Sequence, residues 1–355
     1  MTILVIPAAG QSTRYGLSRP KFLLQHPNKG TMLSAAISGL GDLSKHGISL
    51  IRVVSLSEFF EDLSAEKLRA ELQQTYKVPV EFDLLESPTG SMVETLILSL
   101  SKMDTDSPIL IKDCDNLVDL GEVSVIEDKN FICYADLRNF PQIVAHNKSF
   151  LTFGTGNELD GIVEKKIIGS FINVGCIKFE SASDFLAAAA TLKLGRETYV
   201  SDVIRVMLGQ NFTFQGIEVS QYEDWGTFEE WKKYTHTYAT LFVDVDGVIV
   251  YNENPIGKVL DWNSFRPISE NIKYLLELSL NGRTQIIFTT ARGAEYKNLL
   301  EENLKNYGFI NFIILTDMFH AKRYLINDFA PTNPYPSAIS INILRNANNL
   351  RDYIP

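Results

Sequence analysis

The sequence has few cysteines, no concentrated basic stretch and no long apolar run, and each shortage excludes a class of protein. Its 355 residues include only 3 cysteines, an odd number inside apolar runs, which argues against a disulfide framework. A net charge of −10 without a lysine or arginine run argues against a dedicated nucleic-acid binder, because phosphate neutralisation supplies most of that affinity. No apolar run approaches the roughly 18–20 residues that span a bilayer. We therefore expect a cytoplasmic protein with neither a nucleic-acid nor a membrane partner.

The composition and the hydrophobic pattern predict a two-domain α/β protein. With 45% hydrophobic and 21% charged residues the chain is typical of globular proteins, and its length suits two domains. Residues 1–6 carry no basic leader and predict a first strand in place of a signal peptide. Short β-rich runs then alternate with helical periods, which is typical of folds with parallel strands. We place the domains at residues 1–237 and 238–355.

The same pattern gives the predicted elements. In the first domain we expect strands at Thr2–Pro7, 50–56, Val80–Leu85, 108–112 and 131–135, a β-rich insertion over 142–179, and helices at 32–40, 57–75, 90–103, 182–192, 199–208 and 227–238. The alternation restarts at residue 240, with strands at Thr284–Thr289, Phe312–Leu315 and 324–327, and helices at 268–280 and 295–307.

A glycine-containing turn with two cations follows the first predicted strand. Its small residues allow a triphosphate to approach the backbone, whose N–H groups can bind phosphate oxygens. Arg14 and Lys21 would offset the negative charge that develops on the α-phosphate and on departing pyrophosphate. The spacing fits neither the Rossmann G-x-G-x-x-G motif nor the P-loop. We predict that the nucleotide contacts Ala8, Ala9, Gly10, Ser12, Thr13, Arg14 and Lys21.

Acidic residues later in the first domain predict a magnesium site. Asp113 and Asp115 follow an apolar strand, and carboxylates at the end of a strand are well placed to hold Mg²⁺. Asp224 stands just before Gly226-Thr227 and is the candidate second ligand. Taken singly, the first pair also fits a turn and Asp224 also fits a helix cap. Together, two carboxylates and one cation suit an in-line displacement at phosphorus.

These motifs, in this order, resemble the signature A-A-G-x-[GS]-T-R…P-K of nucleotidyltransferases that make NDP-sugars and NDP-alcohols. The resemblance implies a Rossmann-like GT-A fold with a mixed sheet, an NTP, a sugar- or polyol-phosphate acceptor, and Mg²⁺ at Asp115 and Asp224. The opening is most similar to cytidylyltransferases of the MEP type, which favours CTP over the other four NTPs. The resemblance also implies nucleotide contacts at Thr89, Gly90, Ser91 and Asp113, and substrate contacts at Glu164, Lys165, Asn173 and Gly175.

Two of these segments leave an alternative open. Glu164-Lys165 also fits an exposed ion pair at a turn. Residues 197–202 resemble another segment of the family but fit ordinary helix capping equally well.

The second domain opens on an apolar strand that ends in Asp244-Val245-Asp246-Gly247-Val248. Asp244 could attack a phosphorus atom to form an aspartyl-phosphate. Asp246 could protonate the leaving oxygen and then activate water. This D-x-D-G-V run is similar to the nucleophile motif of the haloacid dehalogenase superfamily, which implies a small α/β phosphatase domain, here too short for a large cap.

The resemblance assigns further residues in this domain. It implies that Thr290 binds the phosphoryl group, that Lys322 is a catalytic cation, and that Mg²⁺ is held by Asp244, Asp246 and Asp328. Many relatives have two acids where this chain has Asn327-Asp328, which puts turnover in question.

The sequence therefore predicts a bifunctional enzyme that supplies activated precursors for surface polysaccharide. The first domain would join an NTP to a sugar- or polyol-phosphate and release pyrophosphate, and the second would hydrolyse a phosphomonoester with Mg²⁺. Two alternatives stand beside this reading: a transferase whose second domain is an inactive structural or oligomerising module, and a nucleotide-sensing protein without catalysis. The base, the acceptor, the phosphatase substrate, the order of the reactions and the oligomeric state stay open.

Overall fold

The computed structural model describes residues 1–11, 20–60, 65–120, 129–195, 198–252, 262–263, 265–328 and 338–354. The chain forms two compact units, Met1–Thr235 and His236–Pro355. None of the described helices combines the length and the apolar character needed to cross a membrane.

The first unit is built from thirteen strands and six α-helices in its described residues. The strands are β1 Thr2–Pro7, β2 Gln25–His26, β3 Gly30–Thr31, β4 Ile48–Leu56, β5 Val80–Leu85, β6 Ile109–Lys112, β7 Asn116–Asp119, β8 Phe131–Asp136, β9 Ser149–Phe153, β10 Leu159–Glu164, β11 Phe171–Phe179, β12 Gln215–Glu218 and β13 Gln221–Asp224. The helices are α1 Met32–Ser38, α2 Ala65–Tyr76, α3 Met92–Leu100, α4 Ala182–Ala190, α5 Val200–Gly209 and α6 Phe228–Thr235.

Most of these strands form one mixed sheet in the order β10-β9-β11-β6-β1-β4-β5, with β8 and β12 attached through β11. β1 is parallel to both β4 and β6, whereas β11 is antiparallel to β6. The chain builds outward from β1 through β4 and β5, and then returns to place β6 on the other side of β1. The strand order therefore reverses between β1 and β6, and open α/β sheets bind ligands at the carboxyl ends of strands beside such a reversal.

Both faces of this sheet are covered by apolar packing. Along β1, Leu4 and Ile6 belong to one buried cluster and Val5 belongs to another, on the opposite face. This arrangement explains the near-continuous apolar sequence of the strand, because a parallel strand covered on both faces has no solvent side. The predicted strands at Thr2–Pro7 and Val80–Leu85 have the observed bounds, and the β-rich insertion corresponds to β9, β10 and β11.

The second unit contains three strands and two α-helices in its described residues: β14 Ala239–Asp244, α7 Ser269–Leu280, β15 Thr284–Thr289, α8 Lys297–Tyr307 and β16 Phe312–Leu315. The strands are parallel in the order β14-β15-β16. Val243, Ile286, Phe288 and Ile314 point into the core that α7 and α8 complete. The predicted strand at Thr284–Thr289 has the observed bounds.

The strand predicted at residues 324–327 is wrong. The structure gives this stretch no regular secondary structure, and Tyr324 and Ile326 are 82% and 89% exposed. An apolar run makes a strand only when a neighbour supplies backbone partners and an apolar face to bury against, and a run of four residues does not specify either one.

Candidate active sites

The first site lies at the carboxyl ends of β1 and β6, beside the reversal in strand order. Ala8 and Ala9 follow β1 and are buried, and Ala8 N–H donates to the Val54 carbonyl at 2.7 Å. Gly10, the next residue, is exposed. The backbone of residues 8–10 carries no bulky side chain and reaches the surface at the edge of the sheet where Asp113 and Asp115 follow β6. Ser12, Thr13 and Arg14, predicted to bind the nucleotide, lie outside the described residues.

Asp115 and Lys21 form an ion pair at this edge. Their side chains are 18% and 16% exposed, so the pair is largely withdrawn from solvent yet reachable. Burial alone would raise the pKa of Asp115, but the Lys21 charge and hydrogen bond outweigh it and lower that pKa to about 2. Asp115 is therefore an ionised carboxylate, as its predicted role as a metal ligand requires, and it lies next to the cation of Lys21.

Asp224 lies next to Asp115 because of strand pairing. It ends β13, whose antiparallel partner β7 begins directly after Asp115, and the Trp225 N–H donates to the Asp115 carbonyl at 2.9 Å. A Cβ placed on Gly226 would lie 3.3 Å from Asp224 Oδ1 and 3.9 Å from Asp115 Oδ2. Two carboxylates that are 109 residues apart in the sequence thus converge on one point beside a glycine.

The alternative role for Asp224 as a helix cap is not what the structure shows. Thr227 occupies that position for α6, because its Oγ1 accepts from the Glu230 N–H at 3.3 Å and the Glu230 side chain accepts from the Thr227 N–H at 2.8 Å. Asp224 instead accepts from the Gly226 N–H at 3.2 Å. Its carboxylate remains directed toward the Asp115 side of the turn.

Lys148 supplies a second cation at this point. Its Nζ lies 2.5 Å from Asp224 Oδ2 and donates to the Tyr222 hydroxyl at 3.0 Å. Burial would lower the pKa of Lys148, but Tyr222 and Asp224 together raise it above its ordinary value, so the side chain is a cation. Each of the two converging carboxylates is therefore neutralised by its own lysine.

The donor set fits a hard divalent cation. Carboxylate oxygens are what Mg²⁺ prefers, and phosphate oxygens and water usually complete its octahedral shell. Within the described ranges no three His, Cys, Asp or Glu side chains gather at metal-binding distance. Asp115 and Asp224 would accordingly supply two protein ligands and leave the remaining positions to substrate and water.

Asp113 and Gly175 are fitted to each other. Gly175 lies in a bulge of β11 with φ +68°, and its carbonyl accepts from the Asp113 N–H at 2.8 Å. A Cβ at Gly175 would collide with the Asp113 carboxylate. Residue 175 is therefore a glycine for a structural reason, because only glycine allows the strand to pass this side chain. Its substrate contact stays a prediction.

Gly175→Ala should destabilise the first unit by about 2–4 kcal/mol, combining the cost of a left-handed backbone for alanine with that of overpacking. Urea unfolding of the purified chain measures it. Gly169→Ala is the matched control, because a Cβ there meets nothing within 4 Å and its φ is not positive. Equal midpoints for both variants would contradict the close fit of Gly175 and Asp113.

The charge of Asp113 is unfavourable in the folded protein. Burial and the neighbouring Asp115 carboxylate raise the pKa of Asp113 to about 7. The native state therefore retains a proton that an unfolded aspartate, with a pKa of about 3.9, has already lost. Between these two values the folded state binds more protons than the unfolded state, so stability falls as pH rises.

In metal-free buffer, we expect Asp113→Asn to lose less unfolding free energy than the wild type between about pH 4 and about pH 7. The asparagine keeps the shape of the side chain but has no proton to release. Urea unfolding at both pH values measures the difference, and Asp160→Asn, at an exposed position of β10, should follow the wild type. Parallel slopes for wild type and Asp113→Asn would contradict the raised pKa.

The Glu164-Lys165 segment lies at the end of the β9-β10 hairpin. Glu164 accepts from the Ser149 hydroxyl at 2.5 Å and from the Ser201 hydroxyl at 2.8 Å, so it joins the hairpin to α5. Lys165 has φ +53°, and its Nζ donates to the Tyr199 hydroxyl over the ring. The two residues do not pair with each other in these contacts, which differs from the simple turn ion pair that the sequence also allowed.

The other predicted contacts take part in local structure. Ser91 is the N-cap of α3 and accepts from the Glu94 N–H, while the Gly90 N–H donates to the Glu94 carboxylate at 2.5 Å. The Thr89 hydroxyl contacts the Thr95 hydroxyl at 2.5 Å. Asn173 Oδ1 accepts from the Gly175 N–H at 3.0 Å within the β11 bulge. Their nucleotide and substrate contacts stay predictions. Glu197 lies outside the described residues.

The second site lies at the carboxyl ends of β14 and β15. Asp244 ends β14, and the Arg323 guanidinium donates to its Oδ1 at 3.1 Å. Burial raises the pKa of Asp244 despite Arg323, which lowers it. With 37% of its side chain exposed, Asp244 is accessible to a substrate.

Asp246 is held by a buried arginine. Arg292, 2% exposed, donates to both Asp246 oxygens, with an Nη2 to Oδ1 distance of 2.6 Å, and the Thr290 hydroxyl donates at 3.0 Å. The guanidinium also donates to the Trp262 carbonyl at 2.7 Å and lies over the Phe265 ring. Action as a general acid therefore requires Arg292 to release Asp246.

The geometry at this end does not fit the predicted metal. Asp246 is occupied by Arg292 and Thr290, and Asp244, Asp246 and Asp328 do not form a three-ligand cluster in the part of the chain that is described. Lys322 and Asp328 are exposed in the stretch without regular secondary structure. The role of Lys322 as a catalytic cation stays a prediction.

The motifs missed three side chains that contact the predicted aspartates: Lys148, Arg292 and Arg323. They also missed Tyr222, whose hydroxyl accepts from Lys148. Lys148 belongs to no motif, and only β13 pairing brings Asp224 to it. Arg292 follows Thr290 in the motif that identified the hydroxyl, so an arginine two residues after it was a usable signal. Arg323 adjoins the predicted Lys322.

Solved structures share the fold. A nucleoside-diphosphate-sugar pyrophosphorylase from Vibrio cholerae has a TM-score of 0.54 and 18% identity, covering 66% of this chain and 99% of that one. A UDP-glucose pyrophosphorylase complexed with UDP-glucose gives 0.52 and 12%, covering 66% and 97%. The inositol-1-phosphate CTP transferase from T. maritima gives 0.51 and 11%, covering 66% and 93%.

At these identities the likeness establishes the fold alone. Over the 66% of the chain that these structures cover, the fold is a mixed α/β fold of the kind seen in nucleotide-sugar pyrophosphorylases and related nucleotidyltransferases, which confirms the predicted fold class in this coarser form. No protein-family model and no curated protein matches the chain. The resemblance of the second unit to haloacid dehalogenases stays a prediction.

Proposed function

We propose that the first unit is a nucleotidyltransferase that joins an NTP to a sugar- or polyol-phosphate and releases pyrophosphate. The observation that carries the proposal is the convergence of Asp115 and Asp224, each paired with a lysine, at the sheet edge where the strand order reverses. This is the edge at which such sheets bind ligands, and the fold is shared with proteins whose names describe this reaction.

In the proposed reaction an acceptor phosphate oxygen attacks the α-phosphorus, the bond from that phosphorus to the β-phosphate oxygen breaks, and pyrophosphate leaves. The backbone at Ala8, Ala9 and Gly10 binds the triphosphate, and Lys21 offsets the charge that moves onto the leaving group. Asp115 and Asp224 would hold Mg²⁺, which when bound neutralises phosphate charge and fixes the reacting groups in line. Arg14 would add a second cation.

The base and the acceptor are proposed from the sequence. The Pro-Ala-Ala-Gly opening favours CTP, and a fold neighbour is named an inositol-1-phosphate CTP transferase, which supports a polyol-phosphate as one acceptor class. Glu164 and Lys165, tied to β9 and α5, would bind the hydroxyls and the phosphate of that acceptor. Supply of surface-polysaccharide precursors by a cytoplasmic enzyme is the wider role we propose.

For the second unit we propose phosphomonoester hydrolysis with Asp244 as the nucleophile. The specific observation is an accessible carboxylate at the end of β14, next to the Arg323 guanidinium, with Thr290 and Asp246 in contact at the end of β15. Arg323 would reduce the repulsion between an anionic substrate and the carboxylate. Asp246 and Lys322 would act in leaving-group protonation and phosphate binding, as their motifs predict.

A screen of the five common NTPs against sugar- and polyol-phosphates tests the first proposal. Pyrophosphate release should require both an NTP and an acceptor, and we expect it to be fastest with CTP. Omission of the acceptor is the control for simple NTP hydrolysis. No release with any pair, while an NTP binds tightly, would favour the nucleotide-sensing alternative.

A further inference from the structure

The contacts of Lys148 assign it to the active site although no motif contains it. It immediately precedes β9, and its side chain is 17% exposed. The ammonium contacts Asp224 at 2.5 Å and the hydroxyl of the buried Tyr222 at 3.0 Å. A largely buried lysine costs desolvation unless it is paired, so both partners are needed to hold it there.

Lys148 also connects the two halves of the site. Its carbonyl accepts from the Lys165 N–H at 3.0 Å, and the next residue, Ser149, donates to Glu164. The backbone of Lys148 is therefore fixed to the segment proposed to bind the acceptor, while its side chain reaches the carboxylate proposed to bind the cation.

The Asp224 carboxylate cannot fully neutralise both the Lys148 ammonium and a divalent cation. An ammonium at 2.5 Å neutralises this carboxylate, whose side chain is 8% exposed, as long as no divalent cation is bound. A divalent cation on Asp115 and Asp224 would compete for the same oxygens and would repel the ammonium at short range, where poorly solvated charges interact strongly. The ammonium would then need another anion within reach of residues 148–149.

We propose that Lys148 holds Asp224 until a divalent cation binds and then binds the phosphate of the acceptor. The inference rests on the proposed nucleotidyltransferase function and adds a substrate-binding residue to it. The acceptor phosphate would be within reach because the proposed acceptor-binding residues, Glu164 and Lys165, are hydrogen-bonded to residues 148–149. Exchange of Asp224 for this phosphate would couple cation binding to acceptor binding, since each makes the other more favourable.

Direct binding of Mn²⁺ to the full chain without nucleotide tests the first half of this proposal. Lys148→Met keeps the length and apolar stem of the side chain but removes the charge that competes for Asp224. Electron paramagnetic resonance measures the free Mn²⁺ at equilibrium. We expect Lys148→Met to bind Mn²⁺ about fivefold or more tightly than the wild type, which is the low end of typical coupling between sites. Lys193→Met is the matched control with unchanged Mn²⁺ affinity, because Lys193 is an exposed lysine just after α4 and has no role in the proposed site.

The second half is tested by steady-state kinetics with the best acceptor from the screen. Lys148→Met should raise the KM for the acceptor by about tenfold, the order of one lost charge-assisted contact, with little change in the KM for the NTP. Lys148→Arg keeps the charge and should restore part of the loss, and it serves as the second variant if the methionine variant fails to fold.

The outcomes separate this inference from the proposed function. Mn²⁺ affinity that is unchanged or weaker in Lys148→Met overturns the competition for Asp224. Tighter Mn²⁺ binding with an unchanged acceptor KM overturns the phosphate contact. A wild-type chain that binds Mn²⁺ but transfers no nucleotide overturns the proposed function itself, on which the acceptor half depends.

Discussion

Asp115→Asn should lower the rate of pyrophosphate release by at least about 100-fold, which is the order of effect seen when one transition-state electrostatic contact is removed. The substitution keeps the size of the side chain but removes the charge that pairs with Lys21 and that would bind the cation. A coupled assay for pyrophosphate measures the rate, and circular dichroism checks that the fold is retained.

The matched control is Asp160→Asn, the same substitution at an exposed position of β10, which should release pyrophosphate at the wild-type rate. A double variant of Asp115→Asn with Lys21→Met should lose less than the product of the two single effects, because the residues are in direct contact. Wild-type rates in Asp115→Asn would remove Asp115 from the reaction and with it the proposed cation site.

Asp244→Asn should abolish phosphomonoester hydrolysis, by about 1,000-fold or more, and leave pyrophosphate release within about twofold of the wild type. An amide cannot attack phosphorus to form the acyl-phosphate, and Asp244 lies in a separate compact unit from the transferase residues. Release of para-nitrophenol from para-nitrophenyl phosphate measures the hydrolysis.

Asp352→Asn, at an exposed position of the same unit, is the control and should hydrolyse the ester at the wild-type rate. Hydrolysis that persists in Asp244→Asn would exclude Asp244 as the nucleophile. A wild-type chain that hydrolyses no phosphomonoester would instead favour the inactive structural module, in which Arg292 serves only to lock Asp246.

Local sequence predicted much of the fold because the central strands of this sheet, β1 and β6, are largely apolar. β1 and β5 have the predicted bounds, and the alternation of strands with helices is confirmed in both units. The prediction from local sequence was wrong at residues 324–327, where only the apolar character of the run indicated a strand. A strand depends on a partner elsewhere in the chain, and periodicity carries no information about that partner.

The candidate sites show the same difference between what local sequence predicts and what depends on contacts elsewhere in the chain. Asp115 was predicted because it follows an apolar strand, and Asp224 because it stands just before Gly226-Thr227. Only one of their lysine partners could be predicted. Lys21 belongs to a motif, whereas Lys148 reaches Asp224 only through the pairing of β13 with β7 and the position of β9. Arg292 was missed for a different reason: it stands in the same motif as Thr290, but its burial against Asp246 depends on the fold.

Isotope transfer from labelled NTP tests the central claim most directly. With CTP labelled at the α-phosphate and an acceptor sugar- or polyol-phosphate, the label should appear in a product that also contains the acceptor, and label at the γ-phosphate should appear in pyrophosphate. Both should disappear in Asp224→Asn. Transfer of the γ-label to the acceptor, or release of labelled CMP without an acceptor-linked product, would contradict nucleotidyl transfer at the site formed by Asp115, Asp224, Lys21 and Lys148.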